Sequence, residues 1–200
     1  MNEINLTMPF PEYLALDRYG SSSLKAMRQG PPARVLWSRD NKQDSAARGL
    51  GTACHRSILT PELFAKDFVS KPEGLSFASR EGKAWKAEQG DKTILSYDDA
   101  QTVKAVTAAF RAKKAASESY QSRVGAEGSV LWDCPESGLR CKGRPDFYDD
   151  EAVYDLKLSR YANQSGSLAY RAYAEGWMSQ IAHNRAGLQV LGWRGDRGRL

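Results

Sequence analysis

Gly143-Arg144-Pro145-Asp146-Phe147-Tyr148-Asp149-Asp150-Glu151-Ala152-Val153-Tyr154-Asp155-Leu156-Lys157 decides how the rest of this 200-residue chain is read. Phe147 and Tyr148 close one short strand, and Asp149-Asp150-Glu151 makes an acidic turn. Ala152 to Leu158 alternates apolar and polar residues in its latter half, as a second strand does. Asp155 and Lys157 are two apart, so in a strand their side chains leave the same face. A tight turn between the strands brings Asp146 near Asp155. Two carboxylates and an ammonium at one place suit a divalent metal with a polarised water beside it. The same residues also fit an acidic hairpin closed by a surface salt bridge, and the remaining sequence decides between the two.

Pro145-Asp146 and Asp155-Leu156-Lys157 resemble the two halves of the PD-(D/E)xK nuclease signature. The bulk composition permits such an enzyme. Two hundred residues, 41% hydrophobic, suit one globular domain over 1–200 with a real core. Residues 1–20 read as irregular, broken by Pro9, Pro11 and Gly20. No window is apolar enough to cross a bilayer, and the N-terminus lacks the basic and apolar regions of a signal peptide, so a cytoplasmic protein without a membrane partner is expected. Cys54, Cys134 and Cys141 are too few and too scattered for a disulfide scaffold or a zinc site. A net charge of +5 hints at a polyanionic partner, although the basic residues are spread along the chain as ordinary surface charge also is.

The segments on either side supply further pieces. Ser21-Ser22-Ser23 offers N-caps for a helix through Arg28, and a second short helix spans Ala33 to Arg39. Arg48 to Leu59 reads as a helix opened by Gly49 and Gly51 and capped by Thr52. Mid-helix His55 is either a packing or exposed residue, or a neutral imidazole ligand for a borderline metal. Asp67-Phe68-Val69 suits a strand, and Arg80 to Gln89 a helix stopped by Gly90. Ser96-Tyr97-Asp98-Asp99 caps an amphipathic helix with Val103, Val106 and Phe110 on one face. Strands near 124–133, 139–148 and 152–158 make an antiparallel meander. Glu127 reaches the place of Asp146 and Asp155 if these strands pair in register, and is otherwise a surface residue. A polar loop covers Tyr161 to Gly166, and Ser167 to Gly187 reads as one helix. Trp177, Gln180, Ile181 and Asn184 share a face of it, with His183 off that face. Leu188 to Trp193 suits a final strand.

Taken together, Gly51-Thr52-Ala53-Cys54-His55, Glu127, Gly143-Arg144-Pro145-Asp146, Asp155-Leu156-Lys157 and Trp177-x-x-Gln180 resemble, in order and spacing, the RecE-type branch of the PD-(D/E)xK superfamily. That branch is the exonuclease VIII C-terminal domain, and RecB-like nuclease domains share much of the pattern. The resemblance covers about residues 20–190 and suits a phage-type protein. It implies an α/β fold with a restriction-endonuclease-like core: a central mixed sheet of about four or five strands flanked by α-helices. It also implies roles. Asp146, Asp155, the Leu156 carbonyl and His55 would hold Mg²⁺, for which Mn²⁺ would substitute. Lys157 would be the catalytic lysine, Glu127 an accessory acid and Gln180 the helix glutamine beside the site. Arg48, Lys142 and Arg144 would hold the DNA backbone. The branch has Tyr three before and four after that glutamine, where this chain has Trp177 and Asn184. The three cysteines exclude the four-cysteine iron–sulfur cluster of some relatives.

The implied function is a Mg-dependent exonuclease that hydrolyses double-stranded DNA ends in the 5′-3′ sense during recombination. A ring-like homo-oligomer and a single-strand annealing protein partner go with it. The alternatives are a structure-specific or single-strand nuclease, and a non-catalytic DNA-binding protein on a nuclease-like fold.

Overall fold

A computed structural model describes residues 2–41, 46–159 and 165–200. Two compact units emerge, one from residues 1–43 and 119–200, the other from residues 44–118. The first begins with β1 (Glu3–Asn5), α1 (Phe10–Ala15), α2 (Ser21–Gln29) and α3 (Ala33–Asp40). The second holds α4 (Ala46–Leu59), α5 (Pro61–Asp67), β2 (Phe68–Ser70), α6 (Arg80–Glu88), β3 (Thr93–Leu95) and α7 (Tyr97–Ala112). Helix α8 (Lys114–Gln121) leads back to β4 (Gly125–Ala126), β5 (Ser129–Asp133), β6 (Arg140–Gly143), β7 (Phe147–Tyr148), β8 (Ala152–Tyr154), α9 (Ser165–Ala174), α10 (Trp177–Val190) and β9 (Arg197–Arg199).

One long hairpin organises the first unit. Ala126 pairs with Phe147, and Val130 with Gly143, so both halves of the hairpin keep one unshifted antiparallel register. The ladder is interrupted between them. Pro145 has no N–H to give, and Glu127 takes a left-handed φ of 48°, which costs a non-glycine residue roughly 1 kcal/mol. The interruption divides the meander between two sheets. One has the order β1-β5-β6, the other β4-β7-β8-β9. The class is α/β, as expected, and β4-β7-β8-β9 is a mixed sheet of four strands, with β1-β5-β6 as a separate sheet. The β7–β8 turn owes its shape to Asp149. Its Oδ1 accepts the N–H groups of Glu151 and Ala152, both at 2.8 Å, and its Oδ2 accepts the Tyr154 hydroxyl at 2.7 Å.

Helix α10 covers one face of this framework. Ile181, Asn184 and Leu188, spaced for a single helical face, are 4%, 2% and 0% exposed. Leu188 joins Val130, Trp132, Tyr148 and Val153 in the main core, where each fully buried aliphatic or aromatic side chain is worth about 1.5–3 kcal/mol. This burial explains two departures from expectation. Leu188 to Val190 stays helical, because Leu188 is needed on the buried face. The final strand is β9 instead, parallel to β8. The helix expected over 167–187 is two helices, parted where Gly176 takes φ 72°, a left-handed turn open to glycine. The segment expected to be irregular is also structured over its described residues: β1 pairs antiparallel with β5, and α1 follows it. Of the polar loop expected at 161–166, residues 161–164 lie outside the described residues, and Ser165 and Gly166 open α9.

In the second unit Ala53 and Cys54 of α4 pack with Leu95, Ala100 and Val103. Thr52 falls inside α4 rather than at its cap, since the helix already starts at Ala46. Ser96 caps α7 as its sequence predicts, accepting the Asp99 N–H at 3.0 Å. β2 and β3 form a separate parallel pair.

Candidate active site

The strand register gathers the acidic residues. Phe147 faces Tyr154 across β7 and β8, and one step further along the same register sets Asp146 opposite Asp155. On the other side of β7 the Glu127 N–H donates to the Asp146 carbonyl at 2.9 Å, which continues the row to Glu127. The backbones of Glu127, Asp146 and Asp155 therefore follow one another on three adjacent strand ends.

Alternation along β8 then selects the partner of Asp155. Val153 points into the core under α10, so Asp155, two residues on, leaves the same face. It is 1% exposed and meets Gln180 of α10. Gln180 Nε2 donates to Asp155 Oδ1 at 2.9 Å, while its Oε1 accepts from Lys157 Nζ at 3.2 Å. The circuit closes with Lys157 Nζ 2.6 Å from Asp155 Oδ2. An amide has one donor end and one acceptor end, so Gln180 satisfies both neighbours in a single orientation. The Trp177 ring centroid lies 6.0 Å from Lys157 Nζ, within cation–π range. Trp177 thus supplies an aromatic face where the RecE-type pattern has a tyrosine. Asp146 Oδ2 accepts the Leu156 N–H, which fastens the first carboxylate to the segment bearing the second.

A buried Asp155 tolerates its charge because Lys157 and Gln180 face it. Removing one partner of such a pair leaves an uncompensated charge and typically costs several kcal/mol. The exposed end of the cluster is Lys157, whose side chain is 22% exposed. The donor set consists of carboxylate oxygens, the kind that hard divalent cations take, often through one or two carboxylates with water completing the shell. Thiolate ligation does not arise. Cys54 and Cys141 are buried in the two cores, and the Cys134 thiol donates to Glu136. Among the described residues no group of three or more His, Cys, Asp or Glu has metal-ligand geometry.

Two residues assigned to the DNA backbone do other work. Lys142 is only 9% exposed. Its Nζ donates to the carbonyls of Tyr13, Leu14 and Leu16 at 2.9, 3.1 and 2.8 Å, closing the C-terminal end of α1. Arg144 donates to the Met8 carbonyl at 3.1 Å and to Ser129 Oγ at 2.8 Å, and stacks over Phe10 and Tyr13. Both are structural because α1, read from sequence as irregular, folds over them. This pocket is dry enough that burial pushes the Tyr13 phenol up to about 12, with Arg144 pulling the other way. The third, Arg48, lies in α4, and its side chain is outside the described residues. His55 also lies on α4, half-buried within the second unit.

Sequence reasoning missed a support beneath the site. Asn184, one turn beyond Gln180, packs against Gly143, where a Cβ would sit 2.4 Å from its Oδ1. Glycine at 143 is therefore a requirement of close approach, and its place just before Arg144-Pro145-Asp146 was the available signal. The buried Asn184 Nδ2 has no hydrogen-bond partner among the described residues. His183 is structural. It bonds the Lys142 carbonyl at 3.0 Å and packs on Trp132. Burial pushes its imidazole below the usual value, against the opposing effect of its bonds to the Lys142 and Tyr19 backbone.

Comparison with known families bears on the same residues. Residues 20–183 match a family described as a PDDEXK-like domain of unknown function (DUF3799). No curated protein matches the chain. Among the described residues no helix is long and apolar enough to cross a membrane. The matched span covers most of the 200 residues and includes both halves of the motif, which the Leu156 N–H links to the Asp146 carboxylate. The chain accordingly belongs to this PDDEXK-like family of the PD-(D/E)xK nuclease superfamily, with a restriction-endonuclease-like α/β fold.

Proposed function

We propose that this protein is a divalent-metal-dependent deoxyribonuclease that works from the ends of double-stranded DNA, in the manner of RecE-type exonucleases. The observation that carries the proposal is the Asp155–Lys157–Gln180 circuit beside Asp146. A surface salt bridge has no need of a buried aspartate held by a glutamine from a distant helix, whereas a catalytic group does need to be held in place.

Asp146 and Asp155 would hold the cation, Mg²⁺ or Mn²⁺, with the Leu156 carbonyl as a further ligand and Glu127 as an accessory acid. Such a cation supplies positive charge that offsets the repulsion between a phosphodiester and its nucleophile. Lys157 presents an ammonium with three donors at the exposed end of the cluster, able to orient an attacking water or to stabilise negative charge as it develops. Gln180 keeps Lys157 and Asp155 at fixed separation, so neither must reorganise during the reaction. Trp177 backs the ammonium from the other side.

The test is digestion of end-labelled linear duplex and covalently closed circular duplex with Mg²⁺ or with chelator. Metal-dependent loss of the linear form with survival of the circle is expected. Asp155→Ala should abolish the loss and weaken Mn²⁺ binding in calorimetry. Rapid nicking of the circle would identify a structure-specific or endonucleolytic enzyme. Duplex binding without cleavage under any metal would identify a non-catalytic DNA-binding protein.

A further inference from the structure

The second unit contains a groove of about 380 Å³ that the nuclease reading does not use. Its floor is apolar. Phe64, Phe68, Leu95 and Val103 line it, and the last two are core residues 7% and 3% exposed. The hydroxyls of Ser57 and Thr107, which also reach it, lie 2.5 Å apart and are engaged with each other. Three consecutive residues of β2, Phe68, Val69 and Ser70, border the groove. Neighbouring residues of a strand point to opposite faces, so a cavity that touches all three runs along the strand's edge. Among the described residues β3 is the one strand paired with β2. On the other edge the Phe68 N–H is taken by the Phe64 carbonyl at the end of α5, which leaves the exposed stretch at Ser70 for a further strand.

The opposite wall is α7. Lys104 and Arg111 border the groove from it, separated by two helical turns, about 10 Å. Both are exposed, and among the described residues neither has an ion-pair partner. No Asp or Glu among the described residues lines the groove. An apolar floor, an open strand edge and a wall of two uncompensated cations select one kind of occupant.

We propose that this groove binds an acidic, apolar peptide segment of a partner protein, laid along the free stretch of the β2 edge at Ser70 with carboxylates toward Lys104 and Arg111. Backbone pairing with the edge would supply affinity, and the apolar floor and the cations would supply selectivity. Nucleic acid fits less well, because its phosphates would lose water against an apolar floor. This inference does not depend on the nuclease reading.

The experiment is fluorescence anisotropy on the full chain. The probe is a short fluorescein-labelled peptide alternating aspartate with phenylalanine and valine, compared with its lysine counterpart and with a labelled duplex. The acidic peptide should bind saturably and the lysine peptide should not. The double variant Lys104→Glu, Arg111→Glu should weaken acidic-peptide binding by at least about ten-fold. Ala108→Trp, at an exposed position on the groove wall, should block binding while leaving thermal unfolding unchanged. The proposal is overturned if the two peptides bind alike, if neither binds, or if the variants bind the acidic peptide as wild type does. Competition by duplex that is lost in the charge-reversed variant would assign the cations to nucleic acid and overturn it as well.

Discussion

Lys142→Met separates a structural lysine from a DNA-binding one. The substitution keeps most of the aliphatic stem and removes the ammonium that three carbonyls share. A hydrogen bond from a charged donor is worth about 1.5–3 kcal/mol net, and a cation at a helix C-terminus up to about 2 kcal/mol. Part of this is offset by the cost of burying the ammonium itself. The net loss expected is about 2–4 kcal/mol, since the carbonyls of Tyr13, Leu14 and Leu16 lose a shared donor in a pocket that stays closed. With a denaturant slope of about 2 kcal/mol/M in urea, the unfolding midpoint should fall by roughly 1–2 M. Tryptophan fluorescence reports it, because Trp132 sits beside Cys141, next to Lys142 in β6. Duplex affinity of the folded variant, and its salt dependence, should match wild type. The reasoning is refuted if the midpoint is unmoved while duplex affinity falls and its salt slope drops by about one, the signature of a lost phosphate contact.

Three further outcomes are expected. Gln180→Leu should lower kcat by about 10²-fold with little change in duplex affinity, as befits a residue that positions Lys157 and Asp155; a rise in KM alone would point to substrate contact instead. At Asp149 burial opposes the charge, but bonds from Tyr154, Ala152 and Glu151, with Arg199 nearby, outweigh it and hold the carboxyl below its usual range. The native state then binds fewer protons than the unfolded chain, so this stabilisation is present above the unfolded value, about 3.9, and is lost as pH falls through the lower folded one. Asp149→Asn should be the less stable protein at neutral pH, with a gap to wild type in Tm that narrows below pH about 4. His183, held neutral by burial, contributes stability that is present above its unfolded value of about 6.5 and is lost on acidification below it. The Tm difference between wild type and His183→Phe should therefore shift against wild type between pH about 7 and 5, and a difference independent of pH would contradict this.

The acidic turn, the pairing of the strands around it, the capped α7 and the closeness of Asp155 to Lys157 were legible in the residues themselves. Each depends on neighbours within a few positions: alternation along a strand, a serine three residues before an aspartate, or a helical face repeating every three to four residues. The opposition of Asp146 and Asp155 follows from the same kind of information, because a short hairpin fixes its register through its turn. Where a charged side chain ends up is another matter. Lys142 and Arg144 look like exposed basic residues on a strand until α1, whose carbonyls lie up to 129 residues away in the chain, folds over them. The burial of Leu188 against Val153 and Trp132 kept 188–190 helical against a strand-like local sequence. The division of one hairpin between two sheets, the parallel return of β9, and the circuit that Gln180 closes 25 residues after Asp155 likewise required the assembled core. Local sequence specifies which faces an element has. Packing between distant segments decides which face is buried, and so which charged groups remain available for chemistry.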